Sequence, residues 1–157
     1  MAIIQCHFDY ACSFWYHGLP QVWKNKLQTT QNKIIRFVLN LESRTHIDPV
    51  HFEYLGWLPV CKKVEYIILC HVFKIKNFLA PEYMVEHFTS QDSVHSHRTR
   101  FSDKGAFSVP KIKGFGLKSF SYNGWTFWNK LPSSITKLDN LKEFKVAIKS
   151  HVLNSLV

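Results

Sequence analysis

The chain has 157 residues and a mass of 18.5 kDa, enough to bury roughly two thirds of its unfolded surface as one domain or to hold two small ones. With 46% hydrophobic, 15% aromatic and 20% charged residues, it is neither disordered throughout nor collagen-like, and it is too short for a complete large enzyme. Twenty Lys and Arg against 11 Asp and Glu give a net charge of +9, which favours partners that carry phosphates or anionic surfaces.

Residues 3–17 read as an apolar helix closed by Gly18, although its aromatic and β-branched content also suits a strand. After Pro20, the spacing of Trp23, Leu27, Thr30, Ile34, Val38 and Leu41 predicts one stripe of an amphipathic helix, with Lys24, Lys26, Lys33 and Arg36 on its polar face. Asp48 and Pro49 then start a short helix that ends near Gly56. The next stripe, Val60, Val64, Ile67, Ile68, His71, Ile75, Phe78 and Leu79, is introduced by Pro59 and ended by Ala80-Pro81. A short helix over 81–88 follows. Residues 89–118 lose periodicity and predict loops, with a brief strand at 107–110. Residues 120–130 predict a helix with Phe120, Gly124, Phe127 and Leu131 on one side and Trp125 and Trp128 adjacent at i, i+3, stopped by Pro132. Leu141, Phe144, Ile148 and Val152 stripe a last helix, introduced by Asn140 with Glu143 in capping-box relation.

The positive charge is uneven. Residues 1–50 carry a net +2, 51–100 a net +1 and 101–157 a net +6. No acid lies between Asp103 and Asp139, a window that holds Lys104, Lys111, Lys113, Lys118, Lys130 and Lys137 together with seven aromatic residues. Lysines attract phosphates and rings stack on unpaired bases, so the combination suits single-stranded nucleic acid. The plainer reading makes the lysines a solvated face and the rings core.

Little other chemistry is encoded. The five aspartates, Asp9, Asp48, Asp92, Asp103 and Asp139, include no adjacent pair for two-metal catalysis and read as caps and turn residues. Cys61 with Cys70-His71, or His87 with His95 and His97, lack the paired close spacing of a structural zinc site, so no metal or cofactor is expected. His71 falls on an apolar stripe and reads as a core histidine. Lys113-Gly114-Phe115-Gly116 lacks a following Lys-Ser/Thr and reads as a turn, and no Gly-x-Ser-x-Gly elbow occurs. The four cysteines read as reduced thiols; with no secretory signal and no membrane-length apolar stretch, a cytoplasmic or nuclear protein without a membrane partner is expected.

An ordered series of strings adds a further expectation. It runs Phe8-Asp9-Tyr10, Leu27-Gln28, Gln31-Asn32-Lys33 with Arg36, Leu55-Gly56-Trp57-Leu58-Pro59-Val60, Val72-Phe73-Lys74-Ile75 and Ala80-Pro81-Glu82-Tyr83-Met84. It continues with His97-Arg98-Thr99-Arg100, Val109-Pro110-Lys111, Ser119-Phe120, Trp128-Asn129-Lys130-Leu131-Pro132 and Phe144-Lys145. In this order the strings resemble the region after the catalytic palm in reverse transcriptases of non-LTR (LINE-like, jockey-type) retrotransposons. The resemblance spans about residues 8–152 and is carried mainly by Gly-Trp-Leu-Pro-Val and Trp-Asn-x-Leu-Pro.

It implies a mainly α protein: a helical thumb-like module over 1–88, a basic loop-rich connector over 89–118, and a C-terminal helical segment over 119–157 that packs on the first module. The family's catalytic aspartate pair lies upstream of Phe8-Asp9-Tyr10 and is lacking here, so the chain reads as a catalytically inactive remnant or truncated piece. RNA or a primer–template duplex is the expected partner, with Lys24, Lys33, Arg36, Arg98, Arg100, Lys104, Lys111, Lys113 and Lys118 as the expected contacts. A helical protein-interaction module anchored by Trp57, Trp125 and Trp128 is the alternative, and a non-functional remnant is the third reading.

Overall fold

The computed structural model describes residues 2–86, 88 and 106–155, and these are mainly helical. In chain order the helices are α1 (Ala2–Asp9), α2 (Cys12–Trp15), α3 (Gln21–Val38), α4 (Pro49–Leu55), α5 (Val60–Lys76), α6 (Glu82–Val85), α7 (Phe120–Lys130), α8 (Ser133–Thr136) and α9 (Leu141–Asn154). Two 3₁₀ turns, Tyr16–Gly18 and Gly114–Lys118, link them.

Helix α5 is the axis. Val60, Val64, Ile68, Leu69, Cys70, Val72, Phe73 and Ile75 are buried, positions that cover most of the helix circumference rather than one stripe. A helix of this kind needs partners on several sides, and α2, α3, α7 and α9 supply them. Helix α9 brings Phe144, whose ring stacks on Phe73 with centroids 4.3 Å apart and on Trp128 of α7 at 5.8 Å. Helix α7 approaches α5 at Gly124, where even a methyl group would come within 2.9 Å of the stiff Val72 side chain. Phe88 closes the far side, edge-on to Phe107, Phe120 and Trp125.

Two sets of side-chain amides fix how the helices meet. Gln31 of α3 is buried and donates from Nε2 to the Leu58 carbonyl at 2.8 Å, while Gln28 accepts from the Val60 N–H through Oε1 at 3.0 Å. Gln28 in turn donates to Gln31 and Asn32. The strings Leu27-Gln28, Gln31-Asn32 and Leu55 to Val60, remote in sequence, are thereby joined in space. Asn129 does the same for 106–110: its Oδ1 accepts from the Phe107 N–H at 2.9 Å and its Nδ2 donates to the Phe107 carbonyl at 2.8 Å. In Trp128-Asn129-Lys130-Leu131-Pro132, Trp128 and Leu131 fill the core and Pro132 precedes α8.

Lys76 ends α5 as a cap for another helix. Its amine donates to the Thr136 carbonyl at 2.8 Å, closing α8, and lies 5.1 Å from the Trp128 ring centroid. Burial pushes its pKa down, with Asp139 pulling the other way.

Several local expectations are corrected. The first apolar stretch is broken at Tyr10-Ala11, where Ala11 takes a left-handed conformation (φ 47°), so it forms α1, α2 and a 3₁₀ turn instead of one helix. The stripe forecast for the 18-residue helix is rotated. Trp23 and Thr30 face solvent, and the inward side is Leu27, Gln28, Gln31 and Ile35. Helix α5 stops at Lys76, and Phe78 and Leu79 are exposed after it. The strand forecast at 107–110 reduces to a single bridge residue, Phe107. Helix α8 was not anticipated, and Asn140 caps α9 at the Lys142 N–H.

Phe144→Ala is expected to lower unfolding stability by ~3–5 kcal/mol, because the cavity opens between Phe73 and Trp128, while Val146→Ala on the exposed side of α9 changes it by less than ~0.5 kcal/mol. Urea denaturation followed by circular dichroism measures both. Gln31→Ala leaves the Leu58 carbonyl without its partner and is expected to cost ~1–3 kcal/mol in the same assay.

Candidate functional site

The cations and rings forecast as contacts fall into separate places. The first is the surface around the Tyr16–Gly18 turn, which sits between the start of α3 and the Gly114–Lys118 turn. Lys24 reaches over the Tyr16 ring, its Nζ 5.3 Å from the centroid. Gly18 faces the edge of Phe115, and Lys118 lies over the other part of that ring at 5.4 Å. Phe115 is 77% exposed, and Lys111, Lys113 and Lys118 around it are all exposed. Thus Lys24 and Lys118 flank one surface built from both ends of the chain, with Lys111 and Lys113 a few residues before Phe115 in sequence.

The other two forecast residues of α3 lie elsewhere. Lys24 and Lys33 are nine residues apart, about two and a half turns, which puts them on opposite sides of the helix. Lys24 is on the inward side, against Tyr16, and Lys33 is on the outer side. Arg36 is half-buried and donates from Nε to the Thr45 carbonyl at 2.8 Å; it holds the α3–α4 loop, which leaves its guanidinium only partly available to a ligand. Arg98, Arg100 and Lys104 lie outside the described residues.

Reading the sequence missed an outer stripe on α3. Trp23, Lys26, Thr30, Lys33 and Phe37 recur at helical spacing and face solvent. Trp23 is 54% exposed and Phe37 87% exposed, and the Lys26 amine lies 4.5 Å from the Trp23 ring centroid. The two rings sit ~21 Å apart along the helix, with both lysines between them. The signal is present in the spacing, but hydrophobicity alone assigns Trp23 to the core.

It also missed a third cluster, along the seam between α5 and α9. Lys63 and Lys74 come from α5, Lys145 and Lys149 from α9, and all but Lys149 act on the Cys70 thiol; burial nevertheless pushes that thiol's pKa up. Lys63 pairs with Asp9 at 3.6 Å. Among the described residues, Lys62 and Lys63 are the lysines that have a carboxylate within ion-pair distance. Lys76 lies within the field of Asp139 without forming an ion pair.

Other candidates do not assemble. Among the described residues no three His, Cys, Asp or Glu side chains group so as to hold a metal ion; His87, His95 and His97 lie outside them. His71 is half-buried and edge-on to Phe120 at 6.0 Å, with its pKa held down by burial and by Lys74. Trp125 and Trp128 are core residues, and Trp57 is half-buried. Among the described residues no helix is long and apolar enough to cross a membrane. No protein-family model matches the chain, nor does a curated protein or a solved structure.

His17 reports on the first surface. Its ring packs 5.7 Å from Phe127, and burial, with Lys24 adding to it, holds its pKa below the ordinary 6.5. Proton NMR titration of the imidazole is expected to show this, with Lys24→Gln moving the value up, because loss of a nearby cation favours the charged ring. Since His17 and His71 both bind protons less readily folded than unfolded, stability is expected to fall as pH drops through and below 6.5, where the unfolded chain protonates first. Thermal unfolding at a series of pH values from neutral downward measures it.

Proposed function

We propose that this chain is a nucleic-acid-binding thumb and C-terminal region of a non-LTR retrotransposon reverse transcriptase, gripping RNA or a primer–template duplex without catalysing polymerisation. The observation that carries this reading is the pairing of lysines with exposed rings and without carboxylates: Lys26 on Trp23 and Lys118 on Phe115. Each pair offers an amine for a phosphate and a flat face for a base, the two contacts that sequence-tolerant binding of single strands requires. The ordered strings from Phe8 to Lys145 supply the family. Several have physical roles here that a helical grip domain needs, because Gln28, Gln31 and Asn129 tie its elements together. The 157 residues contain no adjacent aspartates, so no polymerase chemistry is assigned to them.

The protein-interaction reading had Trp57, Trp125 and Trp128 as surface anchors, and two of the three are buried. A remnant without function would fold poorly without its palm neighbour, and cooperative thermal unfolding of the isolated chain would argue against it.

Fluorescence anisotropy with a labelled single-stranded RNA and a primer–template duplex, across a salt series, tests the proposal. Affinity is expected to fall with salt at a log–log slope of about −0.7 per single-strand phosphate neutralised. Lys111→Glu with Lys113→Glu is expected to weaken binding uniformly across sequences, and Phe115→Ala to cost ~1–3 kcal/mol on single strands. Binding no stronger than that of a neutral control protein, or binding indifferent to salt, would overturn it.

A further inference from the structure

A small cavity of about 150 Å³ opens at one end of the α5–α9 seam, between the Gly56-Trp57-Leu58 turn, Lys63 and Tyr66 of α5, and Lys149 of α9. Gly56 follows α4 with a left-handed backbone (φ 64°), and the Lys149 amine lies over it, 3.7 Å from where a side-chain carbon would begin. A side chain there would only touch the amine, and it is the left-handed backbone that calls for glycine. Lys149 has neither a carboxylate within ion-pair distance nor a hydrogen-bond acceptor among the described residues. Across the cavity Lys63 lies 5.8 Å from the Tyr66 ring centroid and 3.6 Å from Asp9. That ion pair occupies one side of the Lys63 amine, and none of the residues lining the cavity is acidic. Lys74 and Lys145 add positive potential further along the same seam.

We infer that this cavity is a phosphate-binding site, with the Lys63 and Lys149 amines as its charged donors and Trp57 and Tyr66 as its walls. Size sets the ligand class. About 150 Å³ accommodates one tetrahedral anion and is well below the ~300 Å³ at which pockets for whole organic ligands begin. Two compact, strongly hydrated ammonium groups suit the oxygens of a phosphate as point charges. The aromatic walls leave a flat surface beside it for whatever the phosphate is attached to. The site lies on α4, α5 and α9, apart from the lysine–ring pairs of α3 and the 111–118 segment, and does not depend on their binding nucleic acid.

Titration of inorganic phosphate into the ¹⁵N-labelled full chain, followed by NMR against sodium chloride of matched ionic strength, tests the inference. The Gly56 amide and the Trp57 indole N–H are expected to move saturably at millimolar phosphate and not with chloride. Lys149→Met keeps the aliphatic stem and removes the charge, and it is expected to weaken phosphate binding about tenfold or more. Lys149→Arg retains binding, and Lys118→Met leaves it unchanged. Unaltered positions for the remaining resonances show that each variant is folded. Oligonucleotides with a 5′-phosphate or a 5′-hydroxyl identify the source: movement with the first alone assigns a chain end, with both a backbone phosphate, and with neither a small free phosphate. Equal shifts in chloride, no shift at millimolar phosphate, or a Lys149→Met response equal to the original would overturn the site. Failure here leaves RNA binding at Phe115 and Trp23 intact, so the two readings fail separately.

Discussion

Helix α5 is buried around most of its circumference, and this sets the arrangement of everything around it. An ordinary surface helix hides one stripe and leaves the remainder to solvent. Here residues from Val60 to Ile75 demand cover on several sides. The chain answers from both ends, with α2 and α3 before the helix and α7 and α9 after it. The Phe73–Phe144–Trp128 stack is where the answers from the C-terminal half meet. Because the covering is drawn from so far along the sequence, the contacts that make the core are also those that bring the basic segments near one another.

Charge follows from the same economy. Lysine stems share with the apolar side chains the work of covering aromatic surface. The amine of Lys76 closes α8 over Trp128, and Lys24 lies across Tyr16. Such stems pack while their heads reach for solvent or a partner. A cation that has already helped to cover a ring is held in place, so a phosphate that binds it has less side-chain motion to arrest. That distinguishes Lys26 and Lys118, each on an exposed ring, from free lysines on a solvated face.

How much of this was legible in the sequence depended on the length scale of each signal. The long helices were: prolines at 20, 49, 59 and 132 punctuate them, and periodicity fills the intervals. The orientation of α3 is hidden because two glutamines, Gln28 and Gln31, share its inward face with Leu27 and Ile35, while Trp23 and Phe37 point outward. Hydrophobicity alone ranks those positions in reverse. The four-residue α8 is too short for any period to register. In the candidate site, Lys111, Lys113 and Lys118 are close in sequence and could be read as a group. Lys63, Lys74, Lys145 and Lys149 could not, since each pair lies on a different helix and only the packing of α9 on α5 makes them neighbours.

The amide of Gln31 has a consequence beyond the stability it lends. A satisfied buried hydrogen bond contributes little net free energy relative to water, but an unsatisfied one incurs the whole desolvation loss. Sliding or rotating α3 by one residue would strand both the Gln31 amide and the Leu58 carbonyl. The pair thus acts as a key that rejects near-native registers. It gives a chain with many interchangeable apolar side chains one way of closing, and keeps the lysines that ride on α3 in fixed relation to those on the rest of the molecule.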